Sequence, residues 1–200
     1  MTSKTHEMQA WAYFPVDALI TMGPERSAQP AMALVGQHGC VLWPQTDDQA
    51  MRAHVVAPGL AYCVDWRVVR DDPTRYAQCL WHAAAAAHAL ANQLAQWSFC
   101  VQHHTPAQGL ASWFLHGMAQ SPVASLQLHW PAISPSMRQC VERIQDAGTH
   151  AQPWPDFQVR GDFLSVAAPH HLSALACTCH QKLTPVVREF SVGPAPEGVL

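Results

Sequence analysis

Short apolar segments separated by turns make up about the first seventy residues of the chain. Segments such as WAYFPVDALITM (residues 11–22) and LAYCVDW (60–66) are rich in β-branched and aromatic residues, and glycine or proline separates them from their neighbours. Short strands at this spacing are typical of a small antiparallel barrel or roll. We therefore predict a short antiparallel β-roll over residues 1–72.

The pattern changes to a helical period after Asp72. Asp72-Pro73 has the residue types of a helix start, and neither glycine nor proline follows before Val101. Apolar residues then recur at alternating spacings of three and four, which is the a/d pattern of a helix that packs along another helix. Packing on its own domain is the alternative, but the central alanines favour close approach of two helices. We predict a helix over 73–103 that pairs with its twin in a homodimer. The predicted interface residues are Leu80, Ala83, Ala87, Leu90, Leu94 and Trp97.

A capping hydroxyl residue followed by proline occurs three times in the second half of the chain. Each pair predicts the start of a short helix, and Gly148 stands where a glycine ends the last one. The pairs are Thr105-Pro106, Ser121-Pro122 and Ser134-Pro135, and the predicted helices cover residues 106–119, 122–130 and 135–147.

Two β-like runs follow these helices and flank Arg160-Gly161, which predicts a β-hairpin. Pro169 begins a final predicted helix that runs to about Leu183, and residues 184–200 form a predicted disordered tail. Three helices followed by a hairpin is the order of a winged helix-turn-helix domain, which we assign to residues 104–183.

The charge of the chain gives no general attraction to nucleic acid. Charged residues make up 12% of the sequence and the net charge is -3, so any contact with DNA has to come from a local patch. No apolar run approaches the roughly 20 residues that span a bilayer, and MTSKTHEMQA at the N-terminus lacks the apolar core of a signal peptide. A cytoplasmic protein without a membrane partner is expected.

Cysteine and histidine are frequent but form no recognised motif. The seven cysteines include no CxxC pair, so reduced thiols are expected and a zinc ribbon is not. For Cys177, Cys179 and His180, a CxCH sequence, packing is favoured over ligation. Haem or metal has no support from the spacing of the histidines, so no cofactor is identified. We expect a protein that is not an enzyme, because no GxSxG, HExxH or phosphate-binding glycine loop occurs.

Six stretches of the chain, taken in order, resemble segments of one known family. The first three are similar to its sensor roll: WAYFPVDALITM (11–22), VGQHGCVLW (35–43) and AHVVAPGLAYCVDW (53–66). The others are similar to its DNA-binding domain: GLASWFLHGMAQSP (109–122), WPAISPSMRQCVERIQDAG (130–148) and VRGDFLSVAAPHHLSALACTCH (159–180). Over residues 11–183 the chain thus resembles the CRP/FNR superfamily of bacterial transcription regulators, in the branch with a YFP-type strand and with a shortened sensor domain.

This resemblance implies an α+β fold. Its parts would be a short β-roll related to cyclic nucleotide-binding domains, a long dimerisation helix and a C-terminal winged helix-turn-helix. It also implies a homodimer that regulates transcription by binding palindromic promoter DNA, with RNA polymerase as a further partner. The effector is unknown.

The candidate DNA-contacting residues lie at the start of the predicted recognition helix and in the hairpin. Serine hydroxyls and the helix N-terminus suit phosphate, arginine suits phosphate or guanine, and glutamine suits adenine. These candidates are Ser134, Ser136, Arg138, Gln139 and Arg160.

Two features favour an alternative function. Trp130-Pro131 and Ser134-Pro135 replace residues that the family uses in its helix-turn-helix. In addition, residues 105–200 carry five basic and six acidic side chains, and phosphate neutralisation normally supplies much of the affinity for DNA. The alternative is a degenerate CRP/FNR-like dimer that has lost DNA readout and acts as a sensor or protein-binding module.

The candidate effector-binding residues lie in the predicted roll. Gly36, His38 and Arg52 occupy positions similar to the nucleotide-binding loop of the family. The loop Gly36-Gln37-His38-Gly39 lacks the carboxylate that holds the ribose in that family, so a cyclic nucleotide is not expected.

Overall fold

The structure, a computed structural model, describes residues 11–24, 33–43, 51–121, 125–133, 135–147, 157–166 and 169–183. The fold is mixed α+β with three small antiparallel sheets. The strands are β1 (Trp11–Pro15), β2 (Leu19–Pro24), β3 (Ala33–Val35), β4 (Val41–Trp43), β5 (Met51–Ala57), β6 (Ala61–Asp65), β7 (Leu126–His129), β8 (Phe157–Arg160) and β9 (Phe163–Val166). The helices are α1 (Trp66–Asp71), α2 (Ala77–His103), α3 (Pro106–Ala119), α4 (Pro135–Ala147) and α5 (Pro169–Leu175), with 3-10 turns η1 (Trp130–Ala132) and η2 (Thr178–Leu183). No helix within these ranges combines the length and the apolarity needed to cross a membrane.

The N-terminal strands form two three-stranded sheets. β1 lies between β4 and β6, and β2 lies between β3 and β5. Every pair is antiparallel; Tyr13, for example, pairs with Val41 on one side and with Cys63 on the other. The predicted short antiparallel strands are confirmed in this region, because the apolar runs between turns do form strands.

The long helix begins four residues later than predicted. α1 follows β6 directly, and Asp65 caps it by accepting a hydrogen bond from the backbone N–H of Arg67 at 3.0 Å. Asp72 then accepts from the backbone N–H of Arg75 at 3.0 Å, within a turn. The predicted start at Pro73 is therefore wrong: Asp72 stabilises the turn between two helices, and α2 begins at Ala77. The predicted end at His103 is confirmed.

Two of the three short helices are confirmed with their predicted bounds. α3 covers Pro106–Ala119 and begins with a capping box, in which Thr105 accepts from the backbone N–H of Gln108 and the Gln108 side chain accepts from that of Thr105. α4 covers Pro135–Ala147. Proline at the first helical position is compatible with helix geometry, which explains why these starts could be recognised.

The predicted helix over 122–130 is wrong. Residues 122–124 lie outside the described residues, and Leu126–His129 form strand β7, which pairs with β9. Leu126 and Leu128 are buried while Gln127 between them is exposed. This alternation is the period-2 pattern of a strand. Trp130–Ala132 then form only a 3-10 turn.

The hairpin is confirmed, and the final helix is confirmed only in part. β8 and β9 are joined by a turn in which Gly161 has φ = 57°, a value that favours glycine. α5 ends at Leu175, and two residues without regular secondary structure separate it from η2, so the predicted continuous helix to Leu183 is wrong. Gly148 and the predicted tail, residues 184–200, lie outside the described residues.

One hydrophobic core joins the N-terminal sheets to the C-terminal elements. Phe114 of α3 is buried in the same cluster as Leu19, Leu34 and Val56 of the sheets. Trp97 of α2 belongs to this cluster as well. The sheets, the long helix and the C-terminal elements therefore pack together rather than as separate units.

Candidate functional site

α4 presents one buried and one accessible face. Met137 and Val141 are almost fully buried under the helix, whereas Gln139 and Arg143 are exposed on the other side. This pattern follows from the i, i+4 spacing of the two apolar residues, which fall on the face that packs on α3. The accessible face carries Gln139, as predicted for a helix that contacts a ligand.

Three of the five predicted DNA-contacting residues can be placed. Ser134 and the side chain of Ser136 lie outside the described residues. Arg138 is half-buried at the edge of the accessible face, and its Nε atom is buried without a hydrogen-bond partner among the described residues.

Arg160 lies at the tip of the hairpin. It is the last residue of β8 and is exposed, next to the turn at Gly161. Leu164 and Val166 of β9 are fully buried and fix the hairpin to the core. The hairpin therefore exposes the positive charge of Arg160 at the end of a strand whose partner is anchored in the core.

The accessible surface of the hairpin is also partly apolar. Val159 is 42% exposed and Phe163 is 43% exposed, with one on each strand. The ring of Phe163 contacts that of His129 at 5.9 Å between centroids. Exposed apolar side chains of this size suit a protein partner as well as they suit DNA.

The predicted seam of α2 is partly covered by the chain itself. Trp97 is only 3% exposed, and Leu90 packs against the cluster formed by the N-terminal strands. The assignment of Trp97 to a dimer interface is therefore corrected: its side chain is used in the core of its own chain. Ala83 and Leu90 lie on the same side of the helix, toward that core.

An adjacent stripe of α2 remains accessible. It keeps Leu80, Ala87 and Leu94 of the predicted set and has the same alternating spacing of three and four. Its residues are all small or apolar, and each is exposed or half-exposed: Ala77, Leu80, Ala84, Ala87, Ala91, Leu94, Ser98 and Val101. Three of the six predicted interface residues therefore lie on the accessible stripe, and the other three face the core of the chain.

Of the predicted effector residues, His38 borders a narrow cleft between the N-terminal sheets and α2. His38 lines this cleft with Gln93 and Gln120. The side chain of Arg52 lies outside the described residues. The space between the walls admits about one water molecule, so the cleft does not accommodate a nucleotide in this conformation.

The loop that contains Gly36 is held against α3. The backbone N–H of Gln37 donates to the carbonyl of Gln120 at 3.3 Å, and a Cβ at Gly36 would lie 2.6 Å from that oxygen. Gly36 is thus required for close approach of two backbones, which is a packing role.

His82 of α2 faces the same loop. Burial lowers the pKa of His82, and a hydrogen bond with the backbone of Gly39 opposes this effect. Burial, together with neighbouring Cys79, raises the pKa of Cys40 to about 12. The His82 imidazole and the Cys40 thiol are therefore neutral near pH 7.

A cluster of three cysteines was missed in the sequence. Cys100 near the end of α2 meets Cys177 and Cys179 from the segment after α5, and the three Sγ atoms lie within 4.8 Å of one another. Cys177 and Cys179 were noted as a CxCH pair, but Cys100 is 77 residues away from Cys177. No local spacing could have revealed their contact.

Hydrogen bonds make the three thiols unequal. Burial raises the pKa of Cys177, but hydrogen bonds from Ser112 and then from Cys179 lower the pKa more, so it falls below the usual value. Burial and the contact with Cys177 raise the pKa of Cys100 and of Cys179. The arrangement therefore favours ionisation of Cys177 before the other two.

Comparison of the chain with models of known protein families and with curated proteins gives no match.

Proposed function

We propose that this chain is a homodimeric DNA-binding transcription regulator of the CRP/FNR type, with an effector still to be identified. The observation that carries the proposal is the arrangement of α3, β7, α4 and the β8–β9 hairpin. The two hairpin strands join β7 in one small sheet of order β7-β9-β8, and α4 packs on α3. A winged helix-turn-helix has three helices before its hairpin; here α3, η1 and α4 precede the hairpin, with the 3-10 turn η1 in the place of the middle helix.

The accessible face of α4 supports major-groove binding. In such a complex the N-terminal turn of the recognition helix approaches the base edges, and this turn carries Arg138 and Gln139. Arginine pairs with guanine and glutamine with adenine through two hydrogen bonds each. Arg160, exposed at the hairpin tip, would contact a phosphate beside the groove.

The accessible stripe of α2 supports the homodimer. It runs along most of a helix of 27 residues and consists of small or apolar side chains. Alanine at alternating positions permits two helix backbones to approach closely, and leucine supplies the buried area. Parallel pairing of two such helices would place two α4 helices at successive major-groove turns, about 34 Å apart.

The first experiment is a selection of genomic fragments with the purified full-length protein, followed by a salt titration of the best fragment. Arg143 and Arg160 would each neutralise one phosphate, about four in a dimer, so the logarithm of affinity should fall with that of salt concentration with a slope of about -4. A palindromic site with this slope supports the proposal. Recovery of no fragment at low salt, with and without cell extract, contradicts it.

A second experiment tests the dimer by light scattering. Ala87→Glu combined with Ala91→Glu places charge in the middle of the accessible stripe, and we expect a monomer. Asn92→Glu is the matched control, because Asn92 is exposed but lies outside the stripe. A double variant that stays dimeric would show that α2 does not form the interface.

The alternative function, a protein-binding module that has lost DNA readout, is favoured by the surface of the hairpin. Val159 and Phe163 are exposed beside a single arginine there, and η1 stands where a full helix precedes the recognition helix in the family. A dimer that recovers no DNA at any salt concentration would favour this alternative.

A further inference from the structure

Three cysteines from distant parts of the chain meet in the core between α2, α3 and the C-terminal segment. Cys100, Cys177 and Cys179 are 1%, 7% and 2% exposed, respectively, and all three thiols are free. The Sγ atoms of Cys100 and Cys177 are 3.5 Å apart, and the three Sγ atoms lie within 4.8 Å of one another. A free cysteine is commonly buried because it packs as a small apolar side chain. Such packing does not explain why three sulfur atoms lie together.

The distances fit a bound metal ion. With metal–sulfur bonds of about 2.3 Å, sulfur atoms are about 3.8 Å apart around a tetrahedral ion, and about 4.0 Å apart around a trigonal one. Both values lie between the 3.5 Å separation of the Cys100 and Cys177 sulfur atoms and the 4.8 Å within which all three sulfur atoms fall. The cluster could therefore hold an ion with side-chain shifts of at most about 1 Å.

The donor set selects the class of ion. Thiolates prefer soft ions such as Cu(I), whereas magnesium and calcium require oxygen ligands. Structural zinc takes four protein ligands, but within the described residues the group with metal-binding geometry contains only these three cysteines. His180, the nearest histidine in sequence, already uses Nδ1 in a hydrogen bond of 2.7 Å with the carbonyl oxygen of Cys177.

We propose that Cys100, Cys177 and Cys179 together bind one soft metal ion of the Cu(I) class, each through its Sγ atom. On binding, the ion replaces the thiol protons, which pass to solvent, and no electron is transferred. Ser112 Oγ lies 3.0 Å from Cys177 Sγ and donates to the carbonyl oxygen of Cys177, also at 3.0 Å, so it holds the backbone beside the bound sulfur atom. The site joins the end of α2 to the segment after α5, whether or not the protein binds DNA.

The test is a titration of the reduced full-length protein with Cu(I), in competition with a chromogenic Cu(I) chelator and without oxygen. We expect one Cu(I) per chain and a near-ultraviolet thiolate-to-copper absorption band. Each single replacement of a cluster cysteine by serine should weaken Cu(I) binding by more than about 100-fold: Cys100→Ser, Cys177→Ser and Cys179→Ser. Loss of a residue that only hydrogen-bonds to a metal ligand already costs about 10-fold to 100-fold, and loss of the ligand itself costs more. Cys63→Ser is the control, since Cys63 is exposed on β6, and should bind as the unchanged protein does.

A second variant keeps the test decisive if a buried serine prevents folding. In it, the four cysteines outside the cluster (Cys40, Cys63, Cys79 and Cys140) are all replaced by serine. This variant should still bind one Cu(I), and X-ray absorption should show three sulfur neighbours at about 2.3 Å. Loss of binding in this variant, two sulfur neighbours in place of three, or tighter binding of Zn(II) than of Cu(I) would overturn the proposal.

Discussion

Arg138→Ala separates DNA readout from a structural role of Arg138. If Arg138 contacts a base, its loss costs about 1–3 kcal/mol per half-site. A dimer has two half-sites, so the total is about 2–6 kcal/mol, which corresponds to about 30-fold to 20,000-fold weaker binding. Because a base contact neutralises no phosphate, the salt slope should stay close to that of the unchanged protein. Both quantities come from one salt titration with the selected DNA fragment.

The stability of the Arg138→Ala variant is the internal control. Nε of Arg138 is buried without a hydrogen-bond partner in the described part of the chain, and an unsatisfied buried donor costs about 1–3 kcal/mol. Truncation removes that cost but also removes packing of the aliphatic part of the side chain. Because the two effects oppose each other, we expect the free energy of unfolding to change by less than about 1 kcal/mol. Urea denaturation of the variant measures it.

Two further variants distinguish the kinds of contact. Arg138→Lys keeps the charge but loses the paired hydrogen bonds to guanine, so it should bind like the alanine variant if a base is read and like the unchanged protein if only phosphate is contacted. Arg75→Ala removes an exposed arginine in the turn before α2 and should leave affinity unchanged. Unchanged affinity and unchanged slope for Arg138→Ala would refute the assignment of Arg138 to the DNA interface.

Three further predictions concern stability. Burial, with a smaller effect of His180, lowers the pKa of His116 to about 4. As the pH is lowered, His116 therefore binds a proton in the unfolded state before it does so in the folded state. The free energy of unfolding should decrease by about 3 kcal/mol from about pH 6.5 to pH 4. Urea denaturation across this range should show that His116→Gln reduces the loss, whereas exposed His88→Gln does not. Gly36→Ala should destabilise the protein by about 1–3 kcal/mol in the same assay, because its Cβ would meet the backbone of Gln120; a neutral effect would contradict the close approach. Gly161→Ala should lower the free energy of unfolding by about 1–2 kcal/mol through the positive φ alone, since a Cβ there meets no atom within 4 Å. A larger decrease in urea denaturation would show that the turn also contributes packing contacts.

The sequence predicted the elements that have local start signals. Thr105-Pro106 and Pro135 begin α3 and α4, and the turn at Gly161 joins the hairpin strands. Each signal acts within a few residues, so it can be recognised without knowledge of the fold. The β7 strand was missed because the signal of Ser121-Pro122 was given more weight than the alternation from Leu126 to Leu128.

Features that depend on the tertiary structure could not be predicted in the same way. The heptad pattern of α2 is shared by two neighbouring stripes, and only the burial of Trp97 in the core shows which stripe remains accessible. The contact of Cys100 with Cys177 depends on how α2 packs against η2. Composition and spacing contain no information about either, because both are decided by elements far apart in the chain.

The shared core limits how an effector could act under the proposed function. The side-chain amide of Gln93 makes two hydrogen bonds with the backbone of Leu34 in the sheets. The Leu34 N–H donates to Gln93 Oε1, and the Leu34 carbonyl accepts from Gln93 Nε2, both at 2.9 Å. Since Trp97, one turn further along α2, lies in the same core as Phe114 of α3, a hinge between sheets and C-terminal elements would have to break apolar packing. A rotation of the two α2 helices about each other needs no such loss. An effector at the cleft would therefore act by favouring one arrangement of the dimer over another.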